Sequence, residues 1–279
     1  MIPAAFDYEL ADSPEHALRL LAEGGEDARL LAGGQSLLPL MRLRLATPAL
    51  LVDIGRLADL EYVREDGGEL AIGALTRHET LRSDRLAGQH CPILAHAAGE
   101  VGDPQVRHMG TIGGSVAHGD PAADLPSVLL ALGATMVVQE PGGMRTIGVG
   151  DFFTGLFTTA LGPSSLLTEV RVPKLDGGGW SYQKFNPRAQ DWAVVGAAAV
   201  ARGHDGRRET AVALTNMGET PLRATAVERA LASGADPAEA SRAAAEGTSP
   251  PSDPLGSAEY RRALAPVLVR RALEEALRS

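Results

Sequence analysis

The chain has 279 residues, 44% hydrophobic and 22% charged, which is typical of a globular protein of two or three compact units. A net charge of -9 without a basic stretch argues against nucleic acid as a partner, and 4% aromatic residues argue against a base-stacking platform. The single cysteine, Cys91, excludes internal disulfides, a CxxC zinc site and an iron–sulfur cluster, so we expect no metal site.

The longest apolar run, residues 194–200, is too short to span a bilayer. Residues 1–9 lack the basic stretch and apolar segment of a signal peptide. We therefore expect a cytoplasmic protein without a transmembrane segment.

The first 56 residues predict a parallel α/β unit. Ser13 and Pro14 suit the start of a helix. We expect this helix to end at the glycine pair 24–25. A short strand at 29–32, a helix at 37–45 and a strand at 50–54 follow. Strand, helix and strand in this order are typical of two parallel strands joined by a crossover.

Residues 57–175 predict a second subdomain. We expect a strand at 69–73, a helix at 76–82 capped by Thr76, a helix at 92–101, a turn-rich stretch at 102–126 and a helix at 126–132. Strands at 135–139 and 145–149 should form a hairpin through Gly142 and Gly143. An antiparallel strand at 166–172 ends at Pro173.

A boundary is expected at 175–179, where three glycines follow an aspartate. After this boundary we expect three strands, at 180–185, 193–201 and 210–216. Three helices should follow, at 222–233, 237–246 and 257–277, with a proline-rich link at 248–254 before the last. The fold class is therefore α+β (mixed α/β). A first domain of 1–175, divided into 1–56 and 57–175, precedes an α+β domain of 176–279 with a three-stranded antiparallel sheet.

A glycine-rich loop lies between the strand at 29–32 and the next helix. Paired glycines let a ligand approach the backbone, and consecutive N–H groups at a helix start can bind an anion. The alternative is an ordinary turn in which Ser36 caps the helix. The candidate cofactor-binding residues here are Ala32, Gly33, Gly34, Gln35, Ser36 and Leu37.

A second loop repeats this pattern of paired glycines and flanking hydroxyls. Two such loops can hold a diphosphate from both sides, which explains how an acidic chain could bind a polyanionic cofactor through backbone dipoles. Its alternative is again a tight turn. Its candidate residues are Thr111, Ile112, Gly113, Gly114 and Ser115.

The segment HGDPAAD follows the second loop. Asp120, which precedes a proline, favours an extended, turn-like backbone. Asp124 lies just before a predicted helix, where it could accept hydrogen bonds from ribose or ribityl hydroxyls. Capping of that helix is the competing interpretation.

Three segments together, AGGQSLLPLMRLRLATPALLVDI, IGALTRHETL and GTIGGSVAHGDPAADLP, resemble the FAD-binding medium subunit of molybdenum hydroxylases. That group includes aerobic carbon monoxide dehydrogenase and the flavin domain of xanthine dehydrogenase. A later run at Lys184, Arg188, Asp191 and Ala193 extends the resemblance over nearly the whole chain. It implies a two-subdomain FAD domain of the vanillyl-alcohol-oxidase or PCMH type, followed by an α+β domain.

The resemblance also implies residue roles. The two loops hold the diphosphate of a noncovalent FAD, Asp124 contacts its sugar part, and Leu167 and Lys184 lie near the flavin. The alternative for Lys184 is an exposed lysine on a strand. Further implied cofactor contacts are Asp120, Ile72, Gly73 and Ala74, and covalent attachment would need one of His90, His96, His108 and His118.

In this family a large subunit carries the molybdenum cofactor and a small subunit carries two [2Fe–2S] clusters. The resemblance implies a dimer of heterotrimers in which this oxidoreductase subunit contributes FAD and no catalytic residue of its own. Electrons released at molybdenum would pass through the clusters to FAD and then to an external acceptor. A stand-alone flavin reductase or oxidase of the same fold, and a scaffold that has lost FAD, are the alternatives.

Overall fold

The computed structural model describes residues 2–204 and 207–278. Within these ranges, no helix combines the length and apolar character needed to cross a membrane.

The first sheet has three parallel strands in the order β1-β3-β2, which confirms the predicted parallel unit. β1 was not expected from the sequence, because its residues are mostly exposed and show no apolar alternation. The elements are β1 Asp7–Leu10, α1 Pro14–Gly24, β2 Ala28–Leu31, α2 Leu37–Arg42 and β3 Leu50–Asp53.

The second sheet has five antiparallel strands in the order β4-β5-β10-β6-β7, and the 135–148 hairpin is formed as expected. Helices α3 to α8 connect β5 to β6. The elements are β4 Val63–Asp66, β5 Glu69–Gly73, α3 His78–Ser83, α4 Arg85–His90, α5 Pro92–Glu100, α6 Pro104–Met109, α7 Ile112–His118, α8 Asp124–Leu132, β6 Thr135–Glu140, β7 Gly143–Gly148, α9 Val149–Phe152, β8 Phe153–Gly155, β9 Thr158–Thr159 and β10 Leu166–Pro173.

The turn-rich stretch predicted at 102–126 in fact contains two short helices, α6 and α7. Asp103 accepts a hydrogen bond from the N–H of Val106, and Thr111 caps α7 in the same way. Thr76 does not cap α3, because its hydroxyl exchanges hydrogen bonds with the backbone of Tyr62. The sequence prediction missed α6 and α7 because their caps lie in a glycine-rich stretch, and it misplaced Thr76 because its partner is distant in sequence.

The third sheet is antiparallel in the order β11-β12-β13-β14, so it has four strands where three were predicted. The predicted helix at 222–233 begins only at Thr225, because the residues before it pair with Ala213 and Leu214 of β13. The elements are β11 Gly179–Phe185, β12 Val195–His204, β13 Arg207–Thr215, β14 Leu222–Arg223, α10 Thr225–Ala232, α11 Pro237–Ala240 and α12 Ala258–Ala276.

The largest hydrophobic core joins the second sheet to the third. Leu125, Val128 and Leu129 of α8 are fully buried, and the same core includes Ala198 and Ala213 from the C-terminal sheet. A second core lies between that sheet and α12. Helix α8 is therefore held from two sides, and its first residue has a fixed position.

Candidate cofactor-binding site

The two glycine loops lie against each other. A Cβ atom added to Gly33 would be 2.1 Å from the carbonyl oxygen of Met109 and 2.7 Å from the Cα of Gly110, so only glycine allows this approach. A Cβ added to Gly114 would lie 3.8 Å from the Cβ of Ala32. The structure thus brings together two loops that are far apart in the sequence.

The first loop leaves its backbone donors available. Gly34 has a φ of +71°, which turns the chain from β2 towards α2. In this part of the described chain, the N–H groups of residues 33–36 donate to no protein acceptor. Ser36 occupies the N-cap position of α2, as the alternative interpretation had it, but its side chain makes no capping hydrogen bond. Gln35 donates to the carbonyl of Gly33 at 3.1 Å.

The second loop uses its donors internally, unlike the expectation that both loops would offer them. Ile112 donates to Thr76 O at 3.0 Å, Gly113 to Ala74 O at 2.8 Å, and Gly114 to the hydroxyl of Thr111 at 3.0 Å. A Cβ on Gly113 would lie 2.5 Å from that of Ala74. The glycines of this loop therefore serve close packing.

The segment Ile72, Gly73 and Ala74 lies behind the second loop. Ile72 is fully buried and Ala74 is 3% exposed. The N–H of Ala74 donates to Thr168 O at 2.9 Å, next to the irregularity in β10 between Leu167 and Glu169. Leu167 is itself buried, so these residues form a rigid support for the loop.

Asp120 organises the turn between α7 and α8. Its carboxylate accepts from the N–H of Ala122 at 2.8 Å. The ring of His118, at the end of α7, packs 5.1 Å from that of Phe157. Burial lowers the pKa of His118, and the charge of Asp120 opposes this effect.

Asp124 is the centre of a buried charged cluster. Its Oδ1 accepts from the hydroxyl of Tyr182 at 2.7 Å, and its Oδ2 accepts from Nζ of Lys184 at 2.9 Å. Lys184 also donates to the carbonyl of Glu100 at 2.9 Å, and its side chain is only 3% exposed. The alternatives of an exposed Lys184 and a capping Asp124 were both wrong, since Ala123 occupies the cap position of α8.

Burial dominates the electrostatics of this cluster. It raises the pKa of Asp124 to about 6, against the opposing effects of the charge of Lys184 and the hydrogen bond from Tyr182. The pKa of Tyr182 is raised well above its usual value, first by burial and then by the charge of Asp124. Tyr182 was missed from the sequence, although it lies two residues before Lys184 on the same face of β11.

The cluster continues into the C-terminal sheet. The hydroxyls of Ser127 and Thr215 lie 2.5 Å apart. Asn216, with a φ of +60°, donates through its backbone to Pro121 O and through its side chain to Ala193 O, both at 2.8 Å. The turn before α8 is thus tied to the strand that carries Thr215.

Two of the remaining histidines considered for covalent attachment, His90 and His96, have contacts of their own. His90 lies 2.7 Å from Asp176, and the ring of His96 packs 5.6 Å from Trp180. His108 lies in the last turn of α6. Noncovalent binding of FAD stays the expectation.

The first loop offers backbone donors that an anionic ligand could use. The unused N–H groups of residues 33–36 suit a diphosphate, and the second loop supports them from below. A cavity of about 420 Å³ between α1 and the 135–148 hairpin and another of about 160 Å³ beside Lys174 and Arg202 have no residue of either loop in their walls.

Comparison with known proteins gives the same assignment along the whole chain. Residues 4–175 match the family model of the FAD binding domain in molybdopterin dehydrogenase, and residues 180–276 match that of the CO dehydrogenase flavoprotein C-terminal domain. The chain is 43% identical to the carbon monoxide dehydrogenase medium chain of Afipia carboxidovorans, over 99% of this chain and 98% of that one. It is 42% identical to the 6-hydroxypseudooxynicotine dehydrogenase complex subunit alpha of Paenarthrobacter nicotinovorans, over 99% and 96%.

A solved structure of carbon monoxide dehydrogenase from Hydrogenophaga pseudoflava, which lacks the Mo-pyranopterin moiety of the molybdenum cofactor, superimposes with a TM-score of 0.96. The sequence identity is 42%, and the match covers 100% of this chain and 99% of that one. The chain belongs to the FAD-binding medium subunits of molybdenum hydroxylases, as the glycine loops and the Lys184 run predicted.

Proposed function

We propose that this subunit holds FAD as an electron relay, which takes electrons from the [2Fe–2S] clusters of a small partner subunit and passes them to an external acceptor. A large partner subunit would carry the molybdenum cofactor, in a dimer of heterotrimers. The observation that carries the proposal is the contact between the two loops, with unused backbone donors on one and a rigid support on the other.

In this proposal the N–H groups of residues 33–36 bind the diphosphate of FAD, and Thr111–Ser115 form the base beneath it. Ile72, Gly73 and Ala74 hold that base in place. Bound FAD exchanges electrons singly or in pairs, which suits a link between one-electron clusters and a two-electron acceptor.

In this proposal the region around Asp124 and Lys184 lies near the sugar and the flavin. Asp124 would accept from a hydroxyl, since each of its oxygens has a further lone pair, and Asp120 would shape the turn before it. Leu167 and Lys184 would lie near the flavin. Because Lys184 is paired with Asp124, the two ionised groups together present little net charge to it.

We also propose that substrate selection belongs to the large subunit. Two relatives named for very different compounds, carbon monoxide and 6-hydroxypseudooxynicotine, are 43% and 42% identical to this chain. Such equal similarity is expected when the medium subunit does not recognise the substrate. The proposed division into 1–175 and 176–279 is supported by the ranges of the two family models.

Replacement of Gly114 by valine tests the cofactor site. The added side chain would crowd the hydroxyl of Thr111, 2.8 Å from the new Cβ, and extend between the loops, so we expect loss of FAD. FAD content of the purified complex is measured by its visible absorbance after extraction. Gly88→Val in α4, where an added Cβ meets no atom within 4 Å, is the matched control.

A Gly114→Val protein with the FAD content of the wild type would contradict this role for the second loop. Purification of the native protein should also bring two further chains, one of them rich in cluster cysteines. A solitary chain that is active by itself would favour the stand-alone flavin enzyme instead.

A further inference from the structure

Arg77 lies where the two glycine loops meet. It immediately precedes α3 and pairs with Thr111 through an antiparallel backbone bridge. Its guanidinium donates to the carbonyl of Met109, the same oxygen against which Gly33 packs. The cation is therefore beside the first loop and the second loop at once.

The two neighbouring arginines, Arg82 and Arg107, share one carboxylate, whereas Arg77 has none within the described chain. Glu79 accepts from both Arg82 and Arg107, and these two hydrogen bonds are the main cause of its low pKa of about 2. Arg107 also donates to three backbone carbonyls near the end of α5. Across residues 2–204 and 207–278, Arg77 has no acidic partner, and its one hydrogen bond leaves most of its five donors unused.

One carboxylate close to the first loop, that of Asp53, already accepts two hydrogen bonds. Asp53 accepts from the hydroxyl of Tyr8 at 2.6 Å and from the N–H of Gly55 at 2.7 Å. A Cβ on Gly55 would lie 3.7 Å from the carbonyl of Ala32, so this carboxylate is close to the loop. A diphosphate bound there would meet a negative charge behind it, and a cation would offset the repulsion.

We propose that Arg77 is a further cofactor-binding residue, which contacts the diphosphate of FAD together with the N–H groups of residues 33–36. This inference rests on the proposed FAD site and adds to it a charged contact. A planar guanidinium is suited to phosphate oxygens, and a charge-assisted hydrogen bond is about twice as strong as a neutral one. The acidic subunit would thus use one arginine where its loops supply no cation.

The test uses the full chain without cofactor and three probes, namely FAD, ADP and riboflavin. For Arg77→Gln we expect about ten- to a hundredfold weaker binding of both FAD and ADP, with riboflavin binding unchanged. Arg77→Lys, which keeps the charge and loses the planar fork, should lie in between. Arg85→Gln, an exposed arginine in α4 that contacts Gln89, is the matched control and should change none of the three.

Higher ionic strength should reduce the difference between wild type and Arg77→Gln, because it screens the charge. ADP affinity within twofold of the wild type in Arg77→Gln would overturn the proposal. So would an equal loss for ADP and riboflavin, which would indicate that Arg77 only holds Met109. If Arg77→Gln does not fold, wild-type ADP affinity in Arg77→Lys at low salt would overturn it as well.

The two proposals fail in different ways. A wild-type chain that binds neither FAD nor ADP would reject the FAD site itself. Tight FAD binding that is indifferent to residue 77 would reject only the role of Arg77.

Discussion

The glycine loops and the Asp124 cluster are built in opposite ways. At the glycine loops, the N–H groups of residues 33–36 have no protein acceptor, and neither loop contains an ionisable side chain. Asp124, Tyr182 and Lys184, by contrast, form a buried cluster of ionisable groups. The loops depend on backbone shape and close packing, whereas the cluster depends on charge balance and on pH.

A substitution should therefore act through a different physical cause in each region. Loss of one member of the cluster leaves a buried charge without its partner, which is costly in any protein interior. A change in a loop glycine instead forces atoms apart.

Replacement of Lys184 by methionine should have the largest effect on folding. It leaves the carboxylate of Asp124 buried without a counter-ion, and we expect the free energy of unfolding to fall by about 3–5 kcal/mol. This free energy is measured by denaturant unfolding of the FAD-free chain. The matched control is Lys174→Met, since the only other lysine pairs with a half-exposed Glu65 and should cost about 1 kcal/mol or less.

If the two lysine variants lose the same stability, the cluster is not the charged centre that its burial indicates. The double variant Lys184→Met with Asp124→Asn should recover part of the loss, because no buried charge then lacks a partner.

The pH dependence of stability should report Asp124. Its pKa is raised from 3.8 to about 6 in the folded chain, so the folded state binds more protons than the unfolded state between these values. The free energy of unfolding should therefore fall as the pH rises through this window, by up to about 3 kcal/mol from this group. Asp124→Asn should remove that slope.

The slope is judged as a difference between the wild type and Asp124→Asn, because other carboxylates titrate at lower pH and also change the stability. Glu79, with a pKa of about 2, stabilises the fold above its usual pKa of 4.5, and that contribution is lost at lower pH. Parallel curves for the two proteins between 3.8 and 6 would show that burial does not raise the pKa of Asp124.

Gly113→Ala should lower stability without any change in charge. The new Cβ would lie 2.6 Å from the carbonyl oxygen of Ala74, and overpacking against backbone costs about 1–3 kcal/mol. Thermal unfolding of the FAD-free chain is the measurement, and the loss should not vary with pH. Gly88→Ala, at an open helical position, should be neutral or slightly stabilising.

The glycine loops could be found in the sequence because paired glycines between a strand and a helix are a local signal. The sequence could not show which loop keeps its backbone N–H groups free. The N–H groups of Gly113 and Ile112 donate to Ala74 and Thr76, and this contact joins segments that are distant in the sequence. The same limit hid Tyr182, whose partner is 58 residues away. Lys184 was found only through family resemblance, since propensity places a strand lysine in water.

The fold was predictable where periodicity is strong, as in the parallel unit and the 135–148 hairpin. The fold could not be predicted where an element is very short. β14 has two residues, and only its pairing with β13 makes it a strand. α6 and α7 depend on caps inside a glycine-rich stretch.

The core shared between the second and third sheets has a consequence for how the protein can be divided. Family models describe two modules, yet Leu129 of α8 and Ala213 of β13 belong to one hydrophobic interior. Cutting the chain between the modules would expose the apolar surface that each piece buries against the other. A chimaera that takes its C-terminal module from a relative would also need the buried α8 residues of that relative.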